Sequence, residues 1–347
     1  MDLNLINKRQ EKILNYLGQN NQAAVSDLLF FLDKKYSKIT IIRDLNFLIN
    51  LNFVIRQGRG RAITYQLSPQ YDLIRPIDVH DYFAIEADKR EINKRFNFNI
   101  WGKLKGIFTE QEKSHLYQLA NDYQKNIKKL PPAVIKREME RLIIEFSWKS
   151  SAIEGNTYTL LETEALIKMG KEAKGHKKEE AIMILNHKKA LEYIIKNADL
   201  FGKINVVKIE YIHRLLTERL GIERNLRKHP VGIAGTKYRP LDNIYQIKES
   251  LTAACRIVNK EKDVFAKAII LMILIAYIQP FADGNKRAGR LLANAILLAN
   301  DFCPLSYRNV DEIEYKKAVV LFYEKNNISY FKKLFIEQFE FAVKNYF

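Results

Sequence analysis

Cysteine is nearly absent from this chain. Two residues in 347, Cys255 and Cys303, form no metal-ligand spacing and no framework pattern. That excludes a cysteine zinc site and a disulfide-stapled fold, and free thiols fit a reducing cytoplasm. Proline and glycine are also scarce, at 8 and 14 residues, too few for long disordered linkers. The longest apolar run, residues 268–278, has eleven residues and is too short to span a membrane. It predicts a helix buried on all sides. No apolar run follows the start MDLNLINKRQEKIL, so no signal peptide is expected. Acidic residues are in deficit: 40 Asp and Glu stand against 57 Lys and Arg, a formal charge of +17. Polyanions are the natural partners of such a surface, and a lysine-rich solvated surface accounts for the excess equally well. The length predicts two domains.

Residues 6–17 and 24–32 carry helical spacing. In residues 37–54, SKITIIRDLNFLINLNFV, Ile41, Leu45, Leu48 and Ile49 share one helical face, and Thr40, Arg43, Asp44 and Asn46 fall elsewhere. Two β-rich runs then flank Gly58-Arg59-Gly60, the pattern of a hairpin with a flexible basic tip. Three helices followed by a basic hairpin is the order of a winged helix-turn-helix, expected over residues 1–70. Residues 1–67 hold ten Lys and Arg against five Asp and Glu. The third helix would enter the major groove of DNA through Thr40 and Arg43, while Arg59 and Arg61 reach backbone or minor groove. A winged helix also serves protein contacts, which leaves a homodimer open. Residues 71–130 read as a helical connector, with a loop at 97–101 and Thr109 as a helix cap. From Ala133 almost everything reads as helix, and residues 131–347 are expected to form one helical domain.

Three separated stretches carry chemistry. Residues 147–157, SWKSSAIEGNT, place Glu154 at a helix end with Gly155 as its stop and Ser150 one turn earlier. Alone, such a Glu is more often a solvated acid. Residues 227–241 contain Val231-Gly232-Ile233 and Ala234-Gly235-Thr236, a short β excursion or an ordinary loop. Residues 279–290, QPFADGNKRAGR, follow the apolar run. Phe281 would plug the core, and Asp283 is a hard oxygen ligand suited to Mg²⁺. The backbone amides of Gly284, Asn285 and Lys286 can form an anion nest at a helix N-terminus. Arg287 and Arg290 share a helix face and can point at a polyphosphate.

Residues 279–290 resemble the Fic motif, H-x-F-x-(D/E)-G-N-(G/K)-R-x-x-R; eleven of twelve places agree, and the His place does not. Ser150-x-x-x-Glu154-Gly155 resembles the family's inhibitory motif, (S/T)-x-x-x-E-(G/N), and VGIAGT resembles its target-docking flap. All three occur in the family's order, and the similarity covers roughly residues 105–347. The resemblance implies a mainly α protein: a winged helix-turn-helix followed by an all-helical Fic domain with a short β-hairpin flap. It implies transfer of AMP from ATP to a hydroxyl of a target protein. By the same resemblance Asp283 would hold Mg²⁺, and Gly284, Asn285, Lys286, Arg287 and Arg290 would bind the phosphates. Glu154 would compete with the γ-phosphate for Arg290, helped by Ser150. Val231, Gly232, Ile233, Ala234 and Gly235 would hold the target segment, and Phe281 would position the loop. The departure is Gln279, which stands where the family's general base stands and cannot accept a proton near neutral pH. A weakened adenylyltransferase, a DNA-binding regulator that senses nucleotide without chemistry, and an adaptor using neither pocket all remain open.

Overall fold

The computed structural model describes residues 6–347, which fall into two compact units. One runs to Pro76 and takes in Gly102–Gln111; the other holds Ile77–Trp101 and Glu112–Phe347. The only sheet among the described residues has two antiparallel strands, and nearly all other regular structure is helical.

The first unit contains α1 (Lys8–Asn20), α2 (Val25–Phe31), α3 (Lys38–Asn50), β1 (Val54–Gln57), β2 (Thr64–Leu67) and α4 (Pro69–Ile74). Asn7 begins α1: its side chain accepts from the amides of Arg9 and Gln10, and the Gln10 side chain accepts from Asn7 N at 3.0 Å. Ser37 caps α3 through Thr40 N at 3.2 Å. Ile13, Leu17, Leu28, Ile41, Leu45 and Leu48 bury against Phe53, Val54 and Tyr65. β1 and β2 pair with Val54 opposite Leu67 and Gln57 opposite Thr64, and Ala23 adds a bridge to Tyr65. This is the expected order of three helices and a hairpin. The hairpin tip is a tight turn: Gly58 has φ +81°, a Cβ there would lie 2.2 Å from Ala62 O, and Gly60–Ala62 forms one 3-10 turn.

The second unit contains α5 (Val79–Ala84), α6 (Ile100–Lys103, at the division between units), α7 (Glu110–Ile127, likewise), α8 (Pro132–Ala152), α9 (Leu160–Met169), α10 (Lys178–Lys196), α11 (Val206–Leu216), α12 (Ile244–Lys260), α13 (Val264–Ile278), α14 (Asn285–Leu298), α15 (Glu312–Lys325) and α16 (Ser329–Tyr346). The stretch 71–130, expected as one connector, divides between the units. Tyr71 packs into the first core, whereas Phe96 stacks on Tyr277 at 4.7 Å and Arg90 pairs with Glu324 at 3.0 Å in the second. The loop expected at 97–101 ends in the first turn of α6.

α13 is the hub of the second unit: from Ala268 to Ile278 every residue is buried. The expectation drawn from the eleven-residue apolar run therefore holds. α14 packs back along α13 and also against α8, α10 and α11. The approach of α13 and α14 is close because Gly289 has no side chain: a Cβ there would stand 2.9 Å from Met272 O. Among the described residues no helix is long and apolar enough to cross a membrane. The flap expected as a β-hairpin at 231–235 is irregular, with a turn at Ala234 and Gly235, and it meets other backbone in one bridge, Arg95 with Arg239. Arginine side chains hold carbonyls at its feet and turn: Arg227 those of His229 and Leu241, Arg90 that of Gly235.

Gly289→Val would force two backbones apart, since the obstructing atom is a carbonyl and not a flexible side chain. Overpacking of this kind costs about 1–3 kcal/mol. The expected result is a lower urea midpoint for the second unit with an unchanged slope.

Candidate functional site

The site forms where α13 gives way to α14. Pro280 disfavours helical backbone at the residue before it, and Gln279 ends α13 in the left-handed region at φ +51°. Phe281 is fully buried, its ring stacked on His213 of α11 at 3.6 Å and 5°. His213 Nε2 donates to Asp283 O at 2.9 Å, and burial lowers its pKa to about 4, so the ring is neutral. Asn285 closes the loop: its Oδ1 accepts from Phe281 N at 2.9 Å, and its Nδ2 donates to Phe281 O and to Gln279 Oε1, both at 2.8 Å. Gly284, at φ +83°, begins α14. The first amides of a helix have no partner within it, so those after Gly284 form an anion-binding end.

Both motif arginines are buried. Arg287 Nη2 donates to Asp283 Oδ2 at 2.8 Å, while its Nε and Nη1 have no hydrogen-bond partner. Arg290 Nε donates to Ser150 Oγ at 2.9 Å, and its Nη2 donates to Ser150 O at 2.8 Å and Glu154 Oε1 at 2.9 Å. Its charge also lies 5.1 Å from the Tyr315 ring. Glu154 is held twice, because Lys286 Nζ lies 2.7 Å from its second oxygen. Burial alone would raise the Glu154 pKa. The charges of Arg290 and Lys286 outweigh it and hold the carboxyl at about 2. Ser150 is oriented in turn by His187, whose Nε2 lies 3.0 Å from its hydroxyl.

Glu154, Lys286 and Arg287 line a cavity of about 360 Å³; Arg290 and Ser150 are not among its lining residues. Its lining also includes the Gly284 turn, the flap residues Val231, Gly232, Ile233 and Ala234, and the α15 residues Lys316, Val319, Val320 and Tyr323. Gln279 borders the cavity with both amide ends engaged: Nε2 donates to Ala276 O at 2.7 Å and reaches Tyr323 OH at 3.3 Å, while Oε1 is taken by Asn285. Gly235 is not among the lining residues; its carbonyl accepts from Arg90 at 2.7 Å. Asp283 is 63% exposed on its side chain. Among the described residues no three His, Cys, Asp or Glu side chains gather to hold a metal.

In the first unit, Arg43, Arg59 and Arg61 are exposed, and Thr40 is half-buried with its hydroxyl 2.9 Å from Ser37 Oγ. Exposed Ile39, Arg43, Asn46 and Asn50 fall along one side of α3. Asp44, grouped by sequence with the outward polar positions, instead faces inward. It is 4% exposed and is clamped by Arg9 at 2.5 and 3.1 Å and by Gln10 at 3.0 Å.

Residues 203–297 match the Fic/DOC family, and residues 9–66 match the DeoR-like helix-turn-helix domain. The chain carries a Fic domain behind a DeoR-like helix-turn-helix domain. It is 28% identical over 194 residues to a protein adenylyltransferase Fic of Nematostella vectensis, covering 52% of this chain and 43% of that one. It is 34% identical over 103 residues to a probable protein adenylyltransferase of Aquifex aeolicus, covering 29% and 32%. The chain thus matches less than half the length of either relative. Fic-1 of C. elegans (residues 134–508) is similar in fold, with a TM-score of 0.57 at 19% identity over 68% of this chain and 71% of that one. A Fic-domain-containing signaling protein of Bacteroides thetaiotaomicron gives a TM-score of 0.57 at 20% identity, over 66% and 94%.

The Fic site also uses residues that sequence spacing did not single out. His213, His187 and Tyr323 each sit on the buried face of a helix remote in the chain, where a polar side chain reads as part of an amphipathic pattern. Arg227 stands beside the flap stretch as one more basic residue, yet it is fully buried.

The depressed Glu154 pKa has a definite sign in pH. Because the folded value lies below the ordinary 4.5, the stabilisation from Glu154 is complete above about pH 5 and is lost as pH falls from 4.5 toward 2. At full strength it is about 3 kcal/mol. The stability difference between the protein and Glu154→Gln should be flat from pH 7 to 5 and shrink below that, read by urea titration at each pH.

Proposed function

We propose that the Fic domain binds Mg-ATP, that Glu154 opposes this by occupying the γ-phosphate position, and that AMP transfer to a protein hydroxyl is weak or absent because Gln279 stands at the base position. The observation that carries the reading is the double hold on Glu154, in the cavity lining, by Arg290 and Lys286. A triphosphate entering there meets the same two cations and the helix end, so carboxylate and phosphate exclude each other. Arg287, with two unpartnered nitrogens, is poised for a second phosphate. Val231, Ile233, Val319 and Val320 in the cavity lining are apolar surface suited to a planar base.

Magnesium fits the residues present. Mg²⁺ prefers one or two carboxylates plus phosphate oxygens and water, and Asp283 is a single exposed carboxylate beside the phosphate end. Asp283 would hold the ion, which would supply Lewis-acid stabilisation of phosphate charge. The chain's own part is positioning: Asn285 and His213 fix the loop, the arginines bind phosphate, and the flap residues Val231, Gly232, Ile233 and Ala234 present the target segment by strand addition.

In AMP transfer the hydroxyl oxygen attacks the α-phosphorus, the bond to the β-phosphate breaks, pyrophosphate leaves, and the hydroxyl proton needs an acceptor. The Gln279 amide cannot take it, and its oxygen is already held by Asn285. That engagement favours a second reading, in which a DNA-binding regulator senses nucleotide without transfer. For DNA, the outward row Ile39, Arg43, Asn46 and Asn50 on α3 suits the major groove, and the exposed Arg59 and Arg61 suit phosphates.

Glu154→Gly should tighten Mg-ATP binding by about ten- to a hundredfold in calorimetry, and ADP less, since only the third phosphate meets the vacated cations. An unchanged ATP affinity overturns the competition. In that background, Gln279→His should raise transfer of labelled AMP by about 10²–10⁴-fold with nucleotide affinity nearly constant. Equal rates with Gln and His at 279 would mean that another group takes the proton. For DNA, Arg59→Ala with Arg61→Ala should weaken duplex binding for all sequences and flatten its salt dependence. Binding that is unaltered at every salt concentration would remove the wing from the interface.

A further inference from the structure

Arg227 is a fully buried arginine whose guanidinium partners are backbone carbonyls. Its Nε donates to Gln279 O at 2.6 Å, its Nη1 to His229 O at 2.7 Å, and its Nη2 to Leu241 O. Its main-chain amide adds a bond to Pro280 O at 3.0 Å. His229 and Leu241 are the two feet of the flap, and Gln279 and Pro280 are the turn that opens the motif. One side chain therefore ties both feet of the flap to the backbone of the residue at the base position. Hydrogen bonds from a charged donor are worth roughly twice neutral ones, and leaving a buried charged donor unpaired is costly.

The far end of the flap is held separately. Arg90 Nη2 donates to Gly235 O at 2.7 Å, and the same guanidinium is fixed by buried Glu324 at 3.0 and 3.1 Å. Glu324 also accepts from Tyr82 OH at 2.7 Å. Arg239 N, beyond the turn, donates to Lys94 O at 2.9 Å. Val231, Gly232, Ile233 and Ala234, after the first foot, line the same cavity as Gln279.

We propose that Arg227 is a positioning residue that makes the flap and the backbone of residue 279 one rigid piece, so that a segment docked on Val231–Ala234 lies at a fixed offset from position 279. The joint stands on the geometry alone; its use in placing a target hydroxyl rests on the reading of the site given above. Arg90 sets the turn without touching residue 279.

Hydrogen exchange on the full chain tests the joint, because both sides contain bonded amides: Tyr238 and Arg239 on the flap, Gln279 and Phe281 on the motif turn. Arg227→Lys should raise exchange by about tenfold in peptides covering 229–241 and 279–283 together, with α13 and α14 unchanged. Arg227→Gln should raise it further in the same two segments. Arg90→Gln should loosen 234–239 and leave 279–283 protected. Should Arg227→Gln fail to fold, Arg227→Lys and Arg90→Gln still decide. A rise in one segment only, no rise, or an even rise across all helices overturns the proposal; the last is what a purely structural arginine would give. In the Glu154→Gly, Gln279→His background, Arg227→Lys should lower kcat and raise KM for the protein target while ATP affinity holds. If that parent transfers no AMP at all, the reading of the site fails and the exchange data still settle the joint.

Discussion

Arg290 is a fully buried guanidinium whose charge is answered by a carboxylate. Its place on α14 is fixed by the packing of that helix on α13, so it cannot swing out to water when its partner leaves. The partner must come to it. Glu154 does so at the end of α8, with Ser150 one turn earlier and His187 behind Ser150. The hydrogen bonds run in one direction. Arg290 donates to Ser150; His187 Nδ1 donates to Met183 O, so in the neutral ring Nε2 is left to accept the Ser150 hydroxyl proton. Burial, reinforced by the Arg287 charge, holds His187 at a pKa of about 3 and keeps it so.

Lys286 changes the balance of this arrangement. With one cation, a carboxylate and a phosphate would compete for a single fork of donors. With two, each Glu154 oxygen has its own partner, and the ion pair lies partly shielded from water, where Coulomb attraction is stronger than at an exposed surface. The same residue lies on the first turn of α14, so the side chain that helps hold Glu154 belongs to the helix end that would receive phosphate. Removal of one carboxylate therefore takes the shared partner from two side-chain cations at once.

Much of this was legible in the sequence, for identifiable reasons. The winged domain announces itself through the inward row Ile41, Leu45 and Leu48 and the glycines at the wing tip, because a small core leaves few alternatives. The motif 279–290 concentrates its chemistry in twelve consecutive residues, so a linear reading finds it. Asp44 defeated that reading, since a carboxylate on α3 looks outward until Arg9 and Gln10 of another helix are seen to hold it. Arg227 and Arg90 were equally invisible: they satisfy carbonyls far away in the chain, and carbonyls leave no trace in residue identity. Strand pairing was expected at 231–235, and the segment is irregular, with a turn at Ala234 and Gly235.

Position 279 and position 289 answer differently to substitution. Gln279 caps α13 and touches the end of a helix, the Asn285 amide and the Tyr323 hydroxyl; a side chain of similar size can be exchanged there with little effect on packing. Gly289 lies against Met272 O, and Arg287 and Arg290 are enclosed on either side of it. Mutational drift in such a fold has a preferred order. The group suited to move a proton can be lost while the ligand cradle persists, because the cradle is part of what keeps two helices together. The side chain at 279 can therefore change without disturbing the helix pairing that encloses Arg287 and Arg290, whereas any side chain at 289 would disturb it.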